Sequence, residues 1–196
     1  MERLEGYFGR YGTLSRETLE FLYRYGKLNS YCKGEYYIDL YTTKNSFCIL
    51  LDGLVAYEIM QQKGKVVIEL VAVPYQYFSG TKHIYSNTGE EVAIRFLRDS
   101  TVYEIKNEHL QKGVNTYPEL SNLYHILKQH YVDSFKVFLR LQNLERDLRL
   151  WYLYSNMPEL EHESLTIEQL CSLLGYTDNR QYYKALDYYH AHRIKR

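Results

Sequence analysis

The chain has 196 residues, and its 24 Lys+Arg are matched by 24 Asp+Glu, so its formal net charge is zero. A hydrophobic content of 45% is enough to bury a core and argues against disorder, while the charge balance gives no bulk attraction to nucleic acid. Tyrosine is the unusual component, with 23 residues against seven Phe and one Trp.

In chain order, the first element is a helix capped by Ser15, with Glu17 at the positive end of its dipole and Leu19, Leu22 and Tyr23 as its apolar stripe. Lys33-Gly34-Glu35 breaks it. From Tyr36 to about Lys106 the pattern changes to short strands. Phe47–Leu51 ends at Asp52-Gly53, and Leu54–Ile59 runs to a polar turn at Gln61–Lys65. Val66–Val73 is rich in β-branched residues and stops at Pro74, and Val92–Leu97 and Thr101–Ile105 flank Arg98-Asp99-Ser100. Strands this short and this regular predict a small antiparallel barrel or sandwich.

After Pro118 the period becomes helical. Leu120, Leu123, Leu127, Tyr131, Phe138, Leu141 and Leu148 form a stripe along one long helix, or along two with a bend near Gln142 and Asn143 capping the second. The stripe either packs on the chain's own barrel or forms a two-fold dimer seam. The seam is preferred, because the stripe is longer than a small barrel can cover. The last segment reads as helix, turn, helix. Thr166 caps Ile167–Leu174, Gly175 supplies a positive φ, and Thr177-Asp178 begins a helix whose inner face is Tyr182, Ala185, Leu186 and Tyr189. The small Cys171 suits a steep helix crossing, and the combination points to a helix-turn-helix.

The order of these features resembles the Crp/Fnr superfamily of bacterial transcription regulators. It runs from an N-terminal helix through Lys33-Gly34-Glu35, an apolar run into Asp52-Gly53-Leu54-Val55, a strand-rich roll, Tyr117-Pro118-Glu119 before a long helix, and Leu144-Glu145-Arg146, to the helix-turn-helix. The turn Leu174-Gly175-Tyr176-Thr177-Asp178, with Tyr182 and Lys184-Ala185-Leu186 after it, is also similar to AraC-type regulators; Crp/Fnr spacing fits only with one extra residue in the turn. The resemblance implies an α+β fold: an N-terminal double-stranded β-roll, cupin-like and cyclic-nucleotide-binding-like, then a long dimerisation helix and a C-terminal helix-turn-helix domain. The expected division is a sensor roll over 1–117, the dimer helix over 118–142 and the DNA-binding domain over 143–196.

The resemblance further implies a homodimer on a palindromic site in double-stranded DNA, with the helix from about Asp178 in the major groove. Asn179, Arg180, Gln181 and Lys184 are the candidates for base edges, Thr177 and Tyr183 for phosphate, and Arg193, Lys195 and Arg196 for non-specific attraction. The plainer reading of Arg180 and Lys184 is a solvated face paired with Asp178 and Asp187. Nothing resembling the family's wing hairpin follows before Arg196, so weak or ligand-dependent DNA binding is expected. From Thr166 on there are five Lys+Arg against three Asp+Glu, a mildly basic tip on a mildly acidic body.

Relatives that bind cyclic nucleotides carry an Arg-Ser pair for the phosphate and a Gly-Glu for the ribose. Glu90-Glu91-Val92 and Ser79-Gly80-Thr81-Lys82 stand in those places here, which reverses the local charge and excludes cAMP and cGMP. The roll still leaves room for an unknown small-molecule effector, with Tyr77, Lys82, His83 and Arg95 as candidate cavity lining; the preferred alternative is ordinary barrel wall.

Three dispersed cysteines, Cys32, Cys48 and Cys171, form no disulfide framework or cluster site, and a lone Cys32 cannot hold iron–sulfur. His125 and His130 are five apart and do not share a helix face, so neither metal nor cofactor is expected. No nucleophile–base spacing and no Gly-rich phosphate loop points to an enzyme. Met1–Glu5 has no apolar run and no window reaches a membrane span, so a cytoplasmic location without membrane contact is expected. The competing function is a degenerate regulator, serving as a small-molecule sensor or protein-interaction module without DNA binding.

Overall fold

The computed structural model describes residues 2–162 and 165–192. A short helix α1 (Glu2–Phe8) precedes α2 (Arg16–Tyr25), which starts where expected: the Ser15 hydroxyl accepts the Thr18 N–H at 3.2 Å. Its buried face is only partly the anticipated one, sharing Leu22. Thr18, Phe21 and Leu22 are buried, whereas Leu19 is half-buried and Tyr23 exposed. The apolar stripe follows Phe21 because the helix packs on the roll through that ring.

Eight strands follow: β1 (Gly26–Tyr31), β2 (Tyr36–Ile38), β3 (Lys44–Asp52), β4 (Val55–Met60), β5 (Val66–Ala72), β6 (Tyr77–Gly80), β7 (Ala93–Phe96) and β8 (Ser100–Lys106). They form two four-stranded sheets, ordered β1-β8-β3-β6 and β2-β7-β4-β5, the double-stranded roll expected. Strand β1 lies ahead of Lys33-Gly34-Glu35, where no strand was expected. It has no apolar alternation and exists because its backbone completes β8, from Gly26 opposite Ile105 to Tyr31 opposite Ser100.

Alternation along β3 divides its side chains between two layers. Phe47, Ile49 and Leu51 join Tyr77, Tyr103 and Ile105 under a cover of helices, with Phe21 and Leu22 of α2, Leu110 of α3 (Asn107–Thr116) and Leu120, Leu123 and Leu127 of α4 (Pro118–Gln142). Between the sheets, Phe78 meets Phe96 and Tyr37 edge-on, with centroids 6.0 and 5.1 Å apart. The tyrosines serve this core with their rings while their hydroxyls find backbone acceptors. Tyr103 donates to Leu22 O at 2.8 Å and Tyr7 to Tyr75 O at 2.9 Å. Burial pushes both phenols up from their ordinary range.

Helix α4 covers the roll with the first half of the anticipated stripe, so the packing alternative holds for Leu120, Leu123 and Leu127. Phe138 and Leu141 are also buried. The apolar residues α4 leaves exposed are Val132, Phe135 and Leu139, at 41, 41 and 51%. The bend after Gln142 is real, but Asn143 does not cap the next helix. Its Nδ2 donates back to Leu139 O at 2.8 Å, closing α4, and Glu145 precedes α5 (Arg146–Asn156) without a side-chain cap. A 3₁₀ turn at Pro158–Glu161 leads to α6 (Ile167–Leu174) and α7 (Asn179–His192).

The chain divides into two compact units. One joins the described residues up to Tyr57 with Val71–Tyr131; the other joins Glu58–Leu70, the tip of the β4–β5 hairpin, with the described residues from Val132 onward. Within the second unit, the Ile68 N–H donates to Ser172 Oγ on α6 at 2.8 Å.

Candidate nucleic-acid interface

Local chemistry sets both ends of α6. Thr166 Oγ1 accepts the Gln169 N–H at 3.2 Å, and Gln169 Oε1 in turn accepts the Thr166 N–H at 2.9 Å, a full capping box. At the other end Gly175 adopts φ +67°, and the Tyr176 N–H reaches Cys171 O at 2.8 Å. Tyr176 is buried, and its hydroxyl donates to Arg146 O at 2.9 Å. Arg149 of α5 ties the carboxyl ends of α4 and α6 to the linker before α5. Its guanidinium donates to Leu174 O at 2.7 Å, Leu144 O at 3.0 Å and Gln142 O at 3.1 Å.

Helix α7 begins on an Asp178 carboxylate that accepts the Gln181 N–H at 3.1 Å. Ala185 and Tyr189 are its buried face, with Tyr182 and Leu186 half-buried beside them, as expected from their spacing. Tyr189 meets Tyr154 of α5 edge-on at 5.3 Å. Cys171 has little bulk where the start of α7 comes close, its Sγ 3.8 Å from Asn179 Oδ1. Burial, with Asp178 and Glu168 nearby, pushes that thiol up from its ordinary range.

The opposite face carries the candidate readers. Thr177, Asn179, Arg180, Tyr183 and Lys184 are all exposed. Gln181 is not among them: it is half-buried, its Nε2 donating to Thr177 Oγ1 at 2.8 Å and its Oε1 accepting the Thr177 N–H at 3.2 Å. It braces the turn, and Thr177 is engaged with it. Among the described residues no ion pair joins Arg180 or Lys184 to Asp178 or Asp187. Arg193 and Lys195 lie outside the described residues.

The four candidate cavity residues of the roll are not brought together. Tyr77 is buried, stacked on Phe47 with centroids 4.7 Å apart. Lys82 and His83 lie on an exposed loop, and the Arg95 guanidinium sits over the Tyr36 ring at 5.9 Å. Residues that the sequence did not single out are Arg149 and the exposed trio on α4. The trio's spacing of three and four was legible but overshadowed by the richer leucine stripe.

No protein-family model matches the chain, and no curated protein matches it in sequence. Solved structures do match in shape. FixK2 from Bradyrhizobium japonicum superposes with a TM-score of 0.69 at 16% identity, covering 85% of each chain. A protein from Eubacterium rectale assigned to the Crp/Fnr family of transcriptional regulators gives 0.68 at 13% identity, over 91% of this chain and 84% of that one. The chain has the Crp/Fnr fold. The c-di-GMP-responsive global regulator CLP from Xanthomonas campestris agrees, at 0.66 and 16% identity over 90% and 92%. At these identities the likeness is one of fold. In Crp/Fnr terms the roll, long helix and helix-turn-helix succeed one another as the sequence suggested. Among the described residues no group of three His, Cys, Asp or Glu side chains is arranged to hold a metal, and no helix is long and apolar enough to cross a membrane.

Proposed function

We propose that the protein is a cytoplasmic, non-enzymatic, DNA-binding transcriptional regulator of the Crp/Fnr type that acts as a homodimer and does not respond to cAMP or cGMP. The outer face of α7 carries this reading: Asn179, Arg180, Tyr183 and Lys184 are exposed at the start of the second helix of a well-capped helix-turn-helix. Asn179, Arg180 and Lys184 read bases, Tyr183 and Thr177 meet phosphate, and Gln181 holds the turn. Arg193 and Lys195 add non-specific attraction. The roll over 1–117 serves as sensor, 118–142 as dimer helix and 143–196 as reader.

The dimer seam of this reading is Val132, Phe135 and Leu139, which recur at three and four residues along α4 and are exposed. A two-fold axis along α4 presents two α7 helices roughly 34 Å apart, one turn of DNA. Insensitivity to cyclic nucleotides is supported by tyrosines crowding the roll: buried Tyr57 and Tyr77 lie 6.3 and 5.3 Å from Tyr131, and exposed Glu90 and Glu91 bring negative charge.

The test is binding to DNA across a salt series. Arg180, Lys184, Arg193 and Lys195 give about eight cations per dimer, so log K should fall with log salt at a slope of roughly −7. Arg180→Ala with Lys184→Ala should weaken specific binding by about 10- to 100-fold and flatten that slope, with folding unchanged. No binding at low salt by an intact dimer refutes the proposal.

A further inference from the structure

We propose that the roll carries, on the sheet face around β8 and the start of α3, a binding site for a phosphorylated polyhydroxy compound, of which sugar phosphates are the simplest. Two hollows adjoin there, of about 450 and 510 Å³, and share Glu104 and Lys106. They differ in chemistry. The larger brings together Arg24, Lys27, Lys106 and His109. The smaller is rich in amides, with Asn45, Asn87, Asn107 and Gln111.

The cationic hollow has little internal compensation. Glu104 is already committed: Lys44 Nζ lies 2.9 Å from Oε1, Ser46 Oγ donates to Oε1 at 2.8 Å, and Asn29 Nδ2 donates to Oε2 at 2.7 Å. Among the described residues Arg24 and Lys27 make no ion pair. Glu108 is the remaining counter-charge, 4.0 Å from Lys106 and 3.7 Å from His109, and it is 70% exposed, on a side chain able to swing aside. The start of α3 adds to the field. Its N-cap, Lys106, makes no side-chain cap, so the positive end of the α3 dipole is shared only with Glu108 of the first turn. Phosphate, with several acceptor oxygens and up to two charges, suits converging donors of this kind better than a single carboxylate does.

The amide hollow identifies the rest of the ligand. Asn107 is 4% exposed; its Nδ2 donates to Thr81 Oγ1 at 2.8 Å, while its Oδ1 has no hydrogen-bond partner. A buried acceptor without a donor costs about 1–3 kcal/mol; the Oδ1 has less than 1 Å² of accessible surface, so a ligand hydroxyl relieves it only when the Asn107 amide turns toward the hollow. Side-chain amides both donate and accept, which matches the hydroxyls of a polyol. All these residues belong to the first unit, and the proposal does not depend on DNA binding.

Titration calorimetry of the full chain with ribose 5-phosphate, inorganic phosphate and ribose tests it. Ribose 5-phosphate should bind at least tenfold more tightly than either fragment. Arg24→Gln with Lys27→Gln, both exposed, should weaken it about tenfold, and Asn87→Ala should weaken ribose 5-phosphate while leaving inorganic phosphate unchanged. Lys82→Gln, on an exposed loop outside both hollows, should change nothing. No binding at millimolar concentration overturns the site. Equal affinity for inorganic phosphate overturns the polyhydroxy half, and unchanged affinity in the double variant overturns the location.

Discussion

Replacing Arg149 tests how the helix-turn-helix is held on its support. The guanidinium lies at the carboxyl ends of α4 and α6, where unpaired carbonyls carry the negative end of each helix dipole. Of its three bonds, those to Leu174 O and Leu144 O are part-buried and the one to Gln142 O is exposed. A bond from a charged donor contributes about 1.5–3 kcal/mol when shielded. Taking the low end for the two part-buried bonds and nothing for the exposed one, Arg149→Met should cost about 3 kcal/mol. Arg149→Lys keeps the charge but not the fork, and should recover less than half of that. The assay is urea unfolding followed through the fluorescence of Trp151, the single tryptophan, which sits on α5 and so reports on this unit. A midpoint change worth less than about 0.5 kcal/mol for Arg149→Met, no more than an ordinary surface substitution, would show that the three bonds are incidental.

Phe135→Asp with Leu139→Asp should convert a dimer to a monomer by light scattering. The two replaced side chains contribute about 1 kcal/mol each per copy at a two-fold seam, about 4 kcal/mol per dimer, so their loss should raise the dissociation constant at least a hundredfold. Glu119 should make the N-terminal packing acid-sensitive. Hydrogen bonds from the Ser15 and Thr18 hydroxyls, each 2.6 Å, lower its carboxyl from 4.5 to about 2. A group whose folded pKa is depressed stabilises the fold above its unfolded value and loses that contribution as pH falls through the folded one. Between pH 4.5 and 2, Glu119→Gln should therefore show a flatter decline in stability than the parent, and lower stability at neutral pH. Parallel acid titrations of the two proteins, followed by circular dichroism, check this.

The carboxyl-terminal half was legible because its signals are local. Thr166, Gly175 and the spacing of Ala185 and Tyr189 each specify a backbone event within a few residues. The elements that escaped reading are those whose residues answer to distant partners. Gly113 argues against a helix by propensity, yet α3 needs it: a Cβ there would lie 2.6 Å from Phe21 Cε1 and 2.7 Å from Leu120 Cδ2. Gly26 similarly begins β1 because the Tyr103 ring covers it, leaving a Cβ only 2.1 Å from the hydroxyl. The exposed face of α7 was legible apart from Gln181, whose bonds to Thr177 depend on the conformation of the turn. Cavity lining was not legible, since Lys44, Asn87 and Gln111 converge from three separate elements.

A neutral total charge limits nucleic-acid binding only if charge is spread evenly, and here it is not. Glu104 illustrates the separation: it gathers Lys44, Ser46, Asn29 and Tyr31 around one carboxylate, so an acid and a base in the count of 24 against 24 cancel locally. The charges outside such pairs act at their own sites. Arg180 and Lys184 stand on the outer face of α7, and Arg24 and Lys27 stand beside α3. At an ionic strength of 0.15 M the Debye length is only about 8 Å, so each pair is felt by what touches it and little by the rest of the chain. On the proposed reading, the DNA contacts and the phosphate contacts each have an affinity set by their own few side chains. A salt dependence steeper than those contacts allow would place the binding elsewhere on the chain.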